Sequence, residues 1–381
     1  MNILITGARG FVGRNLTESL RAIADGRDKT HPELNIGELY LCDVDTSPEE
    51  LDTFCRKADF VFHLAGVNRP TDEKDFMRGN ADFTETLLSR LEAHGNACPI
   101  MVSSSIQAAL DNPYGISKRR GEELIFAYGK RTGADCRVYR LPNLFGKWSR
   151  PNYNSVIATF CYNISRGIDI TVTDRSRELT LLYIDDLTSA LIASLSKAPA
   201  RDENGFSSVS PVFRITLGEL ADTLLSFAES RKTLAAPAVG DPLTARLWAT
   251  YLSFLPKDGF AYKLKMNVDA RGSFTEFMRS SHSGQMSVNV SKPGITKGNH
   301  WHHTKNEKFL VVSGRGVIRF RDPSETEVIE YYVSGDELTV VDIPTGYTHS
   351  IVNLGESDLV TLMWASECFD PSRPDTYFEE V

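Results

Sequence analysis

The sequence predicts an α/β domain of the Rossmann type, with a doubly wound parallel sheet, followed by an all-β barrel domain. Three observations predict this organisation. The chain has 381 residues, which is enough for two domains with separate cores. Its first part alternates short apolar runs with helical patterns, whereas residues beyond about 255 form short strand-like runs between Gly, Asp and Pro turns. We therefore expect domains at residues 1–255 and 256–381.

Composition restricts the classes of protein to consider. The apolar content of 41% and charged content of 24% are typical of a globular protein. A net charge of −8 argues against general binding to nucleic acid or to anionic membranes. The six cysteines form no CxxC pair, which is typical of reduced thiols. With no signal-peptide pattern and no run of 18 apolar residues, we expect a cytoplasmic protein.

The first 23 residues predict a dinucleotide site. A β-branched run at residues 2–6 leads into the turn GARGFVG, residues 7–13, and then into a helical pattern. Strand, glycine turn and helix in this order are the context that a dinucleotide fingerprint requires. The glycines allow close approach of a pyrophosphate, and the helix N-terminus offers free N–H groups. From this turn we expect cofactor contacts by Gly7, Arg9, Gly10, Phe11, Val12 and Gly13.

The end of the predicted second strand, residues 38–43, bears on the choice of nucleotide. An acidic residue there favours NAD because it accepts hydrogen bonds from the ribose hydroxyls, whereas a basic residue favours NADP. Asp43 therefore favours NAD, while Arg9 in the glycine turn favours NADP. A helix N-cap or loop role for Asp43 is also open, so the sequence leaves the nucleotide undecided.

Two further apolar runs predict buried parallel strands. Residues 60–66 end in small residues, and we expect Leu64, Ala65 and Gly66 to lie against the cofactor. His63, in the same run, is interpreted as a packed core histidine. Residues 99–105 end in three consecutive serines.

A tyrosine and a lysine follow those serines at helical spacing. Tyr114 and Lys118 stand at positions i and i+4, so they share one helix face. An ammonium beside a phenol favours the phenolate and lowers the tyrosine pKa from about 10. Such a tyrosine can act as a general acid or base near neutral pH. The alternative is a Tyr–Lys pair on a solvated helix face.

The N-terminal part resembles the extended short-chain dehydrogenase/reductase superfamily. The pattern TGxxGxxG of that superfamily matches residues 6–13, and its YxxxK matches Tyr114 and Lys118. The resemblance implies a nicotinamide cofactor and catalysis by these two side chains with a serine. Ser105 matches that serine best, with Ser104 as the alternative, because the segment between serine and tyrosine is shorter than in most nucleotide-sugar members.

Two further segments extend this resemblance. Asn80 matches the family pattern, and we expect it to contact the cofactor together with Tyr114 and Lys118. Residues 140–146, RLPNLFG, resemble the loop in which the family begins to grip a sugar nucleotide. On this basis we expect substrate binding by Asn143, Arg150 and Arg177, with solvated positions as the alternative for the two arginines.

Residues 294–314 predict a metal site. In an extended strand His300 and His302 project to one face and His303 to the other. Glu307 lies on the next apolar run, which we expect to pair back across a turn and to face the same interior. A further candidate, His349, follows a Pro-x-Gly turn. Imidazoles with a carboxylate suit a divalent metal, and surface loop histidines are the alternative.

This region is similar to the cupins. Gly294, Gly314 and the candidate ligands between them match the first cupin motif in full, and Pro344, Gly346, His349 and Asn353 match most of the second. The resemblance implies an all-β cupin barrel that binds one divalent metal through four side chains, His300, His302, Glu307 and His349.

Residues 269–277 are similar to a segment of the deoxysugar-nucleotide 3,5-epimerases, in which it grips the nucleotide diphosphate. The resemblance implies substrate contacts by Arg271, Phe274 and Glu276. In those epimerases the histidine at the position of His300 is the base, whereas the cupin motif makes it a metal ligand. We favour the ligand role. The base is then open among Lys297, His303 and Tyr347, with Lys297 our catalytic candidate.

Essentially the whole chain is similar to the bifunctional UDP-sugar epimerase/reductases of capsular polysaccharide biosynthesis. The resemblance implies that the cupin domain epimerises C3 of UDP-2-acetamido-2,6-dideoxy-β-L-arabino-hexos-4-ulose. The dehydrogenase domain would then reduce the C4 ketone to UDP-2-acetamido-2,6-dideoxy-L-talose, on the route to UDP-N-acetyl-L-fucosamine. It also implies NADPH, zinc and a homodimer, and Asp43 keeps NADH possible. The alternatives are a simple ketosugar reductase with a non-catalytic cupin and an iron-dependent cupin oxygenase.

Overall fold

The structure is a computed structural model that describes residues 1–280 and 282–381. These residues form two compact units. One contains Met1–Leu225 and Gly240–Pro256, and the other contains Ser226–Val239 and Lys257–Val381. The segment Ser226–Val239 thus groups with the C-terminal unit although it precedes residue 255. None of the helices in the described part of the chain is both long and apolar enough to cross a membrane.

The N-terminal unit is built on a parallel sheet. Its strands and those of a small adjoining sheet are β1 (Ile3–Thr6), β2 (Leu39–Cys42), β3 (Phe60–His63), β4 (Ile100–Ser105), β5 (Cys136–Leu141), β6 (Asn143–Phe145), β7 (Glu178–Tyr183), β8 (Phe206–Ser207) and β9 (Phe213–Thr216). The parallel sheet has the order β2-β1-β3-β4-β5-β8, and the small sheet has the order β6-β7-β9. The strand order reverses between β1 and β3, which is where open α/β sheets bind ligands.

Helices cover both faces of this sheet. They are α1 (Phe11–Ala24), α2 (Pro48–Lys57), α3 (Lys74–Met77), α4 (Phe83–Ala93), α5 (Pro113–Thr132), α6 (Val156–Ile164), α7 (Ile184–Ser196), α8 (Leu217–Thr233) and α9 (Pro242–Ser253). Ile3 and Ile5 belong to one buried cluster, whereas Leu4 between them belongs to another. Since successive side chains of β1 are buried on opposite faces, the sheet is doubly wound, as predicted.

Helix α5 begins at Pro113, directly before Tyr114. Asn112 caps it, because the Asn112 side-chain oxygen accepts a hydrogen bond from the backbone N–H of Gly115 at 2.8 Å. Pro113 occupies the first turn, where its missing N–H costs nothing. The cap places Tyr114 and Lys118 within the helix, so that their i, i+4 spacing does put them on one face.

The C-terminal unit is antiparallel. Its strands are β10 (Asn267–Asp269), β11 (Gly272–Ser280), β12 (Gly284–Ser291), β13 (Thr296–Trp301), β14 (Glu307–Ser313), β15 (Arg315–Arg321), β16 (Ile329–Ser334), β17 (Val340–Ile343), β18 (Thr348–Asn353), β19 (Leu359–Ala365) and β20 (Tyr377–Phe378). They form two sheets, β10-β11-β12-β19-β14-β17 and β16-β15-β18-β13-β20. Side chains from both sheets share one core, including Phe309, Ile318 and Ile351. The prediction of a Rossmann-type domain followed by a cupin-like β domain is confirmed.

The predicted pairing of the two histidine-site strands is wrong. β13 pairs with β18 and β20, whereas β14 pairs with β17 and β19 of the other sheet. The short connection at residues 302–306 therefore crosses between sheets instead of making a hairpin. The side chains of His300 and Glu307 still lie close together, because the inner faces of the two sheets pack against each other.

Candidate active sites

The glycine turn after β1 lies against the end of β3. Gly7 has a φ of +68°, and a Cβ built on it would stand 2.8 Å from the backbone nitrogen of Ala65. A Cβ on Gly13 would stand 2.2 Å from the carbonyl oxygen of Gly7. Both positions need glycine for this close packing. Gly10 precedes α1 without a side-chain cap, so the helix N-terminus can offer its N–H groups to a phosphate.

Acidic side chains surround the predicted cofactor residue Arg9. The Asp43 carboxylate accepts a hydrogen bond from the backbone N–H of Arg9 at 2.8 Å, and so supports the glycine turn. The Arg9 guanidinium forms two hydrogen bonds with Asp45, at 3.0 and 2.5 Å, and both side chains are exposed. The two pairs line a cavity of about 480 Å³ together with Arg14 and Leu41. Sequence reasoning missed Asp45, although it stands two residues after Asp43.

The residues after β3 that are predicted to contact the cofactor lie close to Asn80 and to Lys118 of α5. Asn80 lies in a π-helical turn, Arg78–Asp82, a feature common at functional sites. Its side-chain oxygen accepts from the N–H of Val67 at 3.0 Å, and its amide donates to the carbonyl of Val67 at 2.8 Å. A Cβ on Gly66 would stand 2.7 Å from Asn80 Oδ1 and 3.0 Å from Lys118 Nζ. Gly66, Asn80 and Lys118 thus lie together, beside partly buried Leu64.

The side chains of Ser105 and Tyr114 lie close together at the end of β4. Burial raises the pKa of Tyr114, and the nearby Ser105 hydroxyl opposes this only in part. The predicted lowering of the Tyr114 pKa is therefore wrong for this state, because burial of the phenol outweighs the favourable contacts. Lys118 donates instead to the carbonyl of Ser103 at 3.1 Å. Burial lowers the pKa of Lys118 to about 8, while nearby Glu122 raises it.

Ser104 points away from this pair. Its hydroxyl donates to Glu122 Oε1 at 2.6 Å, and Arg140 donates two hydrogen bonds to the same carboxylate at 2.9 and 2.6 Å. Glu122 is buried and was not predicted, although it stands four residues after Lys118 on the same helix face. His63 is also buried, with its two ring nitrogens bonded to Thr6 and Thr84 at 2.7 and 2.8 Å. Burial lowers the pKa of His63 to about 3.

The three predicted substrate residues of this unit have separate neighbours. The Asn143 amide donates to the carbonyl of Thr180 at 3.2 Å, and Arg150 lies 5.2 Å from the ring centre of Tyr153. Arg177 is exposed near the start of β7. Within the described part of the chain, these side chains do not form one hydrogen-bonded group.

Four predicted metal ligands converge in the C-terminal unit. One ligand atom from each of His300, His302, Glu307 and His349 lies within 4.8 Å of the others. Glu307 Oε2 lies 3.3 Å from His349 Nε2 and 3.7 Å from His302 Nε2. Burial lowers the pKa of His300 to about 4, with smaller contributions from the neighbouring imidazoles. A neutral imidazole of this kind can act as a ligand.

The donor set fits a divalent metal. Nε2 of His302 and both ring nitrogens of His349 are buried and have no hydrogen-bond partner among the described residues. Buried polar atoms without partners are costly, and a metal would satisfy them. Burial raises the pKa of the Glu307 carboxylate, but the close approach of the His302 and His349 rings outweighs this and lowers it. Three imidazoles and an ionised carboxylate are ligands that zinc accepts.

Each of the two units is similar to a known protein family. Residues 3–206 match the NAD dependent epimerase/dehydratase family, and residues 267–377 match the polysaccharide biosynthesis C-terminal domain. The chain is 53% identical to the capsular polysaccharide assembling protein CapF from Staphylococcus aureus, with a TM-score of 0.92 and coverage of 100% of both chains. The chain belongs to the NAD dependent epimerase/dehydratase family and is of the CapF type.

Two other relatives of this CapF-type chain are informative. It is 43% identical to the UDP-2-acetamido-2,6-beta-L-arabino-hexul-4-ose reductase of Pseudomonas aeruginosa, over 99% of this chain and 98% of the relative. The structure of RMD from Pseudomonas aeruginosa complexed with NADPH is 25% identical, with a TM-score of 0.50 over 60% of this chain and 82% of that one. The predicted resemblance to capsule-biosynthesis enzymes is confirmed.

The CapF-type chain has a cavity of about 690 Å³ beside the histidine cluster. Residues at its wall include the predicted Arg271, Phe274, Lys297, His300, Glu307 and His349. Lys297 Nζ donates to the carbonyls of Ser273 and Val290 and to Asn289 Oδ1, at 3.3, 2.8 and 2.8 Å. Burial lowers the pKa of Lys297. Lys297 thus lines the same cavity as three of the four predicted ligands.

Other candidates lie outside this cavity wall. Glu276 is paired with Arg279 through two hydrogen bonds of 2.6 and 2.5 Å and is not a lining residue. Among the candidates for the base, His303 packs against Trp301 and Tyr377, with ring centres 4.6 and 4.9 Å away. Tyr347 packs on the apolar core. Lys297 lines the cavity, whereas His303 and Tyr347 do not. His300, which matches the base of the 3,5-epimerases, also lines it.

Proposed function

We propose that this chain is a bifunctional nucleotide-sugar enzyme. Its C-terminal unit epimerises C3 of UDP-2-acetamido-2,6-dideoxy-β-L-arabino-hexos-4-ulose, and its N-terminal unit reduces the C4 ketone with NADPH. The product is UDP-2-acetamido-2,6-dideoxy-L-talose, which leads towards UDP-N-acetyl-L-fucosamine for a surface polysaccharide. The observation that carries the proposal is that each unit has its own site with partly buried acid–base groups, Tyr114 in one and Lys297 beside the histidine cluster in the other.

Reduction needs a proton donor beside the carbonyl oxygen. NADPH supplies the hydride when it is bound. Tyr114 donates its phenolic proton to the oxygen of the forming alkoxide, and its raised pKa keeps that proton in place at neutral pH. The hydroxyl of Ser105, which lies beside Tyr114, donates to the same oxygen. The Lys118 ammonium stabilises the phenolate that remains.

The choice of NADPH is supported by Arg9 in the glycine turn, by the NADPH-bound relative and by the similarity to the capsule enzymes. Asp43 keeps NADH possible as an alternative. We infer that the main role of Asp43 is to support the glycine turn, because its carboxylate accepts a hydrogen bond from the backbone N–H of Arg9.

Epimerisation needs a base that takes the proton from C3, a donor that returns a proton on the opposite face, and a group that stabilises the enolate formed between the two steps. Lys297, which lines the cavity, is our candidate for the base. The proton on C3 is acidic because the C4 ketone can take up the negative charge as an enolate oxygen. Zinc held by His300, His302, Glu307 and His349 would supply a Lewis acid for that oxygen. The Lys297 ammonium, held by three acceptors at the cavity wall, stabilises the same charge. Arg271 and Phe274 line the cavity where the nucleotide would bind.

One experiment tests both halves of the proposal. The enzyme is incubated with the UDP-activated 4-keto sugar in deuterated water, with and without NADPH, and the products are followed by NMR. We expect deuterium at C3 without NADPH, and a C4 alcohol after NADPH is added. Reduction of unepimerised ketone without any exchange at C3 would contradict the epimerase assignment.

That outcome would support the alternative, a simple 4-keto sugar-nucleotide reductase with a non-catalytic cupin used for dimerisation or sugar binding. The name of the Pseudomonas aeruginosa relative, which mentions only a reductase, favours this alternative. The two candidate functions can be distinguished with the Lys297→Ala variant of the full-length protein. This variant should stop exchange at C3 only if the cupin is catalytic. The homodimer and the cytoplasmic location remain predictions.

A further inference from the structure

Asp375 holds the loop that carries one of the predicted metal ligands. Its carboxylate accepts hydrogen bonds from three consecutive backbone N–H groups, those of His303, Thr304 and Lys305, at 2.9, 3.0 and 3.0 Å. It also accepts from the Thr304 hydroxyl at 3.1 Å. The carbonyl oxygen of the same residue lies 2.5 Å from Nδ1 of His302. A single residue therefore contacts the loop through both its side chain and its backbone.

The contact with His302 determines which ring nitrogen carries the proton. A carbonyl oxygen can only accept a hydrogen bond, so Nδ1 of His302 must be protonated to make this contact. In the neutral ring, Nε2 then has a free lone pair. Nε2 is the atom that is buried without a partner and lies 3.7 Å from Glu307 Oε2. The contact thus directs the free lone pair of His302 towards the predicted metal position.

The segment that contains Asp375 is itself fixed to the strand that carries His300. Tyr377 and Phe378 form strand β20, which pairs with Trp301 and His300 of β13. At the next residue, the N–H of Glu379 donates to the carbonyl of Asn299 at 3.0 Å. Asp375 has a φ of +40°, a backbone conformation that is uncommon for a residue with a side chain. These contacts fix Asp375 beside the loop, where both its carbonyl and its carboxylate reach residues 302–305.

We propose that Asp375 is a positioning residue for the C-terminal site. It holds His302 in the tautomer and orientation that bind a divalent metal, and it holds Lys305 at the wall of the cavity. The proposal rests on the metal site described under Proposed function. Groups that orient metal-binding histidines commonly affect metal affinity by about 10- to 100-fold when they are removed.

The test uses the full-length protein and Zn²⁺ itself as the probe. Zinc affinity is measured by competition with a chromogenic chelator for the wild type, Asp375→Ala and Asp375→Asn. Asp370→Asn is the matched control, because the Asp370 carboxylate lies in the same segment and accepts from the backbone and side chain of Ser372. The absorption spectrum of the Co²⁺-loaded proteins provides a second readout, since it reports the ligand geometry and not activity.

We expect Asp375→Ala to weaken zinc binding about 10- to 100-fold and to change the Co²⁺ spectrum. Asp375→Asn should have a smaller effect, because its amide oxygen can still accept part of the N–H set, and it carries the test if the alanine variant does not fold. Wild-type zinc affinity and an unchanged spectrum in the variants would overturn the role of Asp375 and leave the metal site intact. A wild-type protein that binds neither ion would overturn both.

Discussion

The hydroxyl of Ser104 donates a hydrogen bond to Oε1 of Glu122 at 2.6 Å. Glu122 lies on α5, one helical turn after Lys118. This contact separates the roles of two adjacent serines, because Ser105 lies beside Tyr114 instead. Glu122 also receives two hydrogen bonds from Arg140 and raises the pKa of Lys118. A buried carboxylate therefore joins β4, α5 and β5 and sets the charge environment of the reductase site.

Glu122→Gln should affect both the pH dependence and the stability of the enzyme. The neutral amide no longer raises the pKa of Lys118, so we expect the alkaline limb of reductase kcat/KM to move to lower pH. Arg140 loses its charged partner, and we expect a loss of about 2 kcal/mol in the free energy of unfolding. Glu123→Gln is the control, because Glu123 pairs with Arg120 on the exposed face of the same helix. An unchanged alkaline limb would remove Glu122 from this role.

The wild-type reductase should lose activity above about pH 8. The pKa of Lys118 is lowered to about 8, so its ammonium is present below that pH and is lost above it. Loss of the charge weakens stabilisation of the Tyr114 phenolate, and kcat/KM should fall. Lys118→Arg retains the charge and should not show this fall, whereas Lys118→Met should be slow at every pH. A wild-type profile that is flat from pH 7 to 10 would contradict the assignment.

Tyr114→Phe should separate the two reactions. Removing the proton donor should lower the rate of NADPH oxidation about 10²- to 10⁴-fold. Deuterium exchange at C3 should continue at the wild-type rate, because it is assigned to the other unit. Tyr40→Phe, a partly buried tyrosine stacked on Phe54 in the same unit, is the control. Loss of both reactions in Tyr114→Phe would refute this division of labour.

Asp45→Asn should shift the cofactor preference towards NADPH. In the protein as described, Asp45 occupies two N–H groups of the Arg9 guanidinium that a 2′-phosphate would need. The ion pair is exposed and therefore weak, so we expect only about a 2- to 5-fold rise in the NADPH/NADH ratio of kcat/KM. Arg9→Ala should change the ratio in the opposite direction. If neither variant alters the ratio, Arg9 does not select the nucleotide.

His63 should make the fold sensitive to acid. Its pKa is lowered to about 3 in the folded protein, from an ordinary value of 6.5. Between these values the unfolded chain binds a proton that the folded chain does not, so the contribution of His63 to stability falls as pH falls from 6.5 towards 3. His63→Asn should therefore show a shallower loss of unfolding free energy on acidification, measured by urea denaturation at several pH values. Identical slopes for the two proteins would contradict this.

Local patterns were enough to predict much of the fold. The glycine turn after β1 and the Tyr114–Lys118 pair each lie within a few residues, so spacing alone indicated their arrangement. Alternation along this run correctly put His300 and His302 in the same cluster of candidate ligands. It gave no information about the partner strand, and the predicted pairing of β13 with β14 was wrong because the chain crosses to the other sheet.

The residues that sequence reasoning missed depend on distant partners. Asp375 is 73 residues away from His302, and no spacing rule connects an aspartate near the end of the chain with a histidine motif. Glu122 is near Lys118 in sequence, but its burial depends on Ser104 and Arg140 from two different strands. The direction of the Tyr114 pKa was also missed, because the degree of burial of the phenol is a property of the packed unit.

The division of the histidine cluster between two sheets limits how it could be transferred to another protein. A peptide of residues 294–314 contains His300, His302 and Glu307, and it looks self-sufficient as a linear motif. It lacks His349, which comes from β18, and it lacks the Asp375 carbonyl that sets the His302 ring. It also lacks β19 and β17, the neighbours that hold Glu307 opposite the histidines. To transfer this histidine cluster to another protein, both sheets and the segment from Asp375 to Phe378 would therefore have to be moved together.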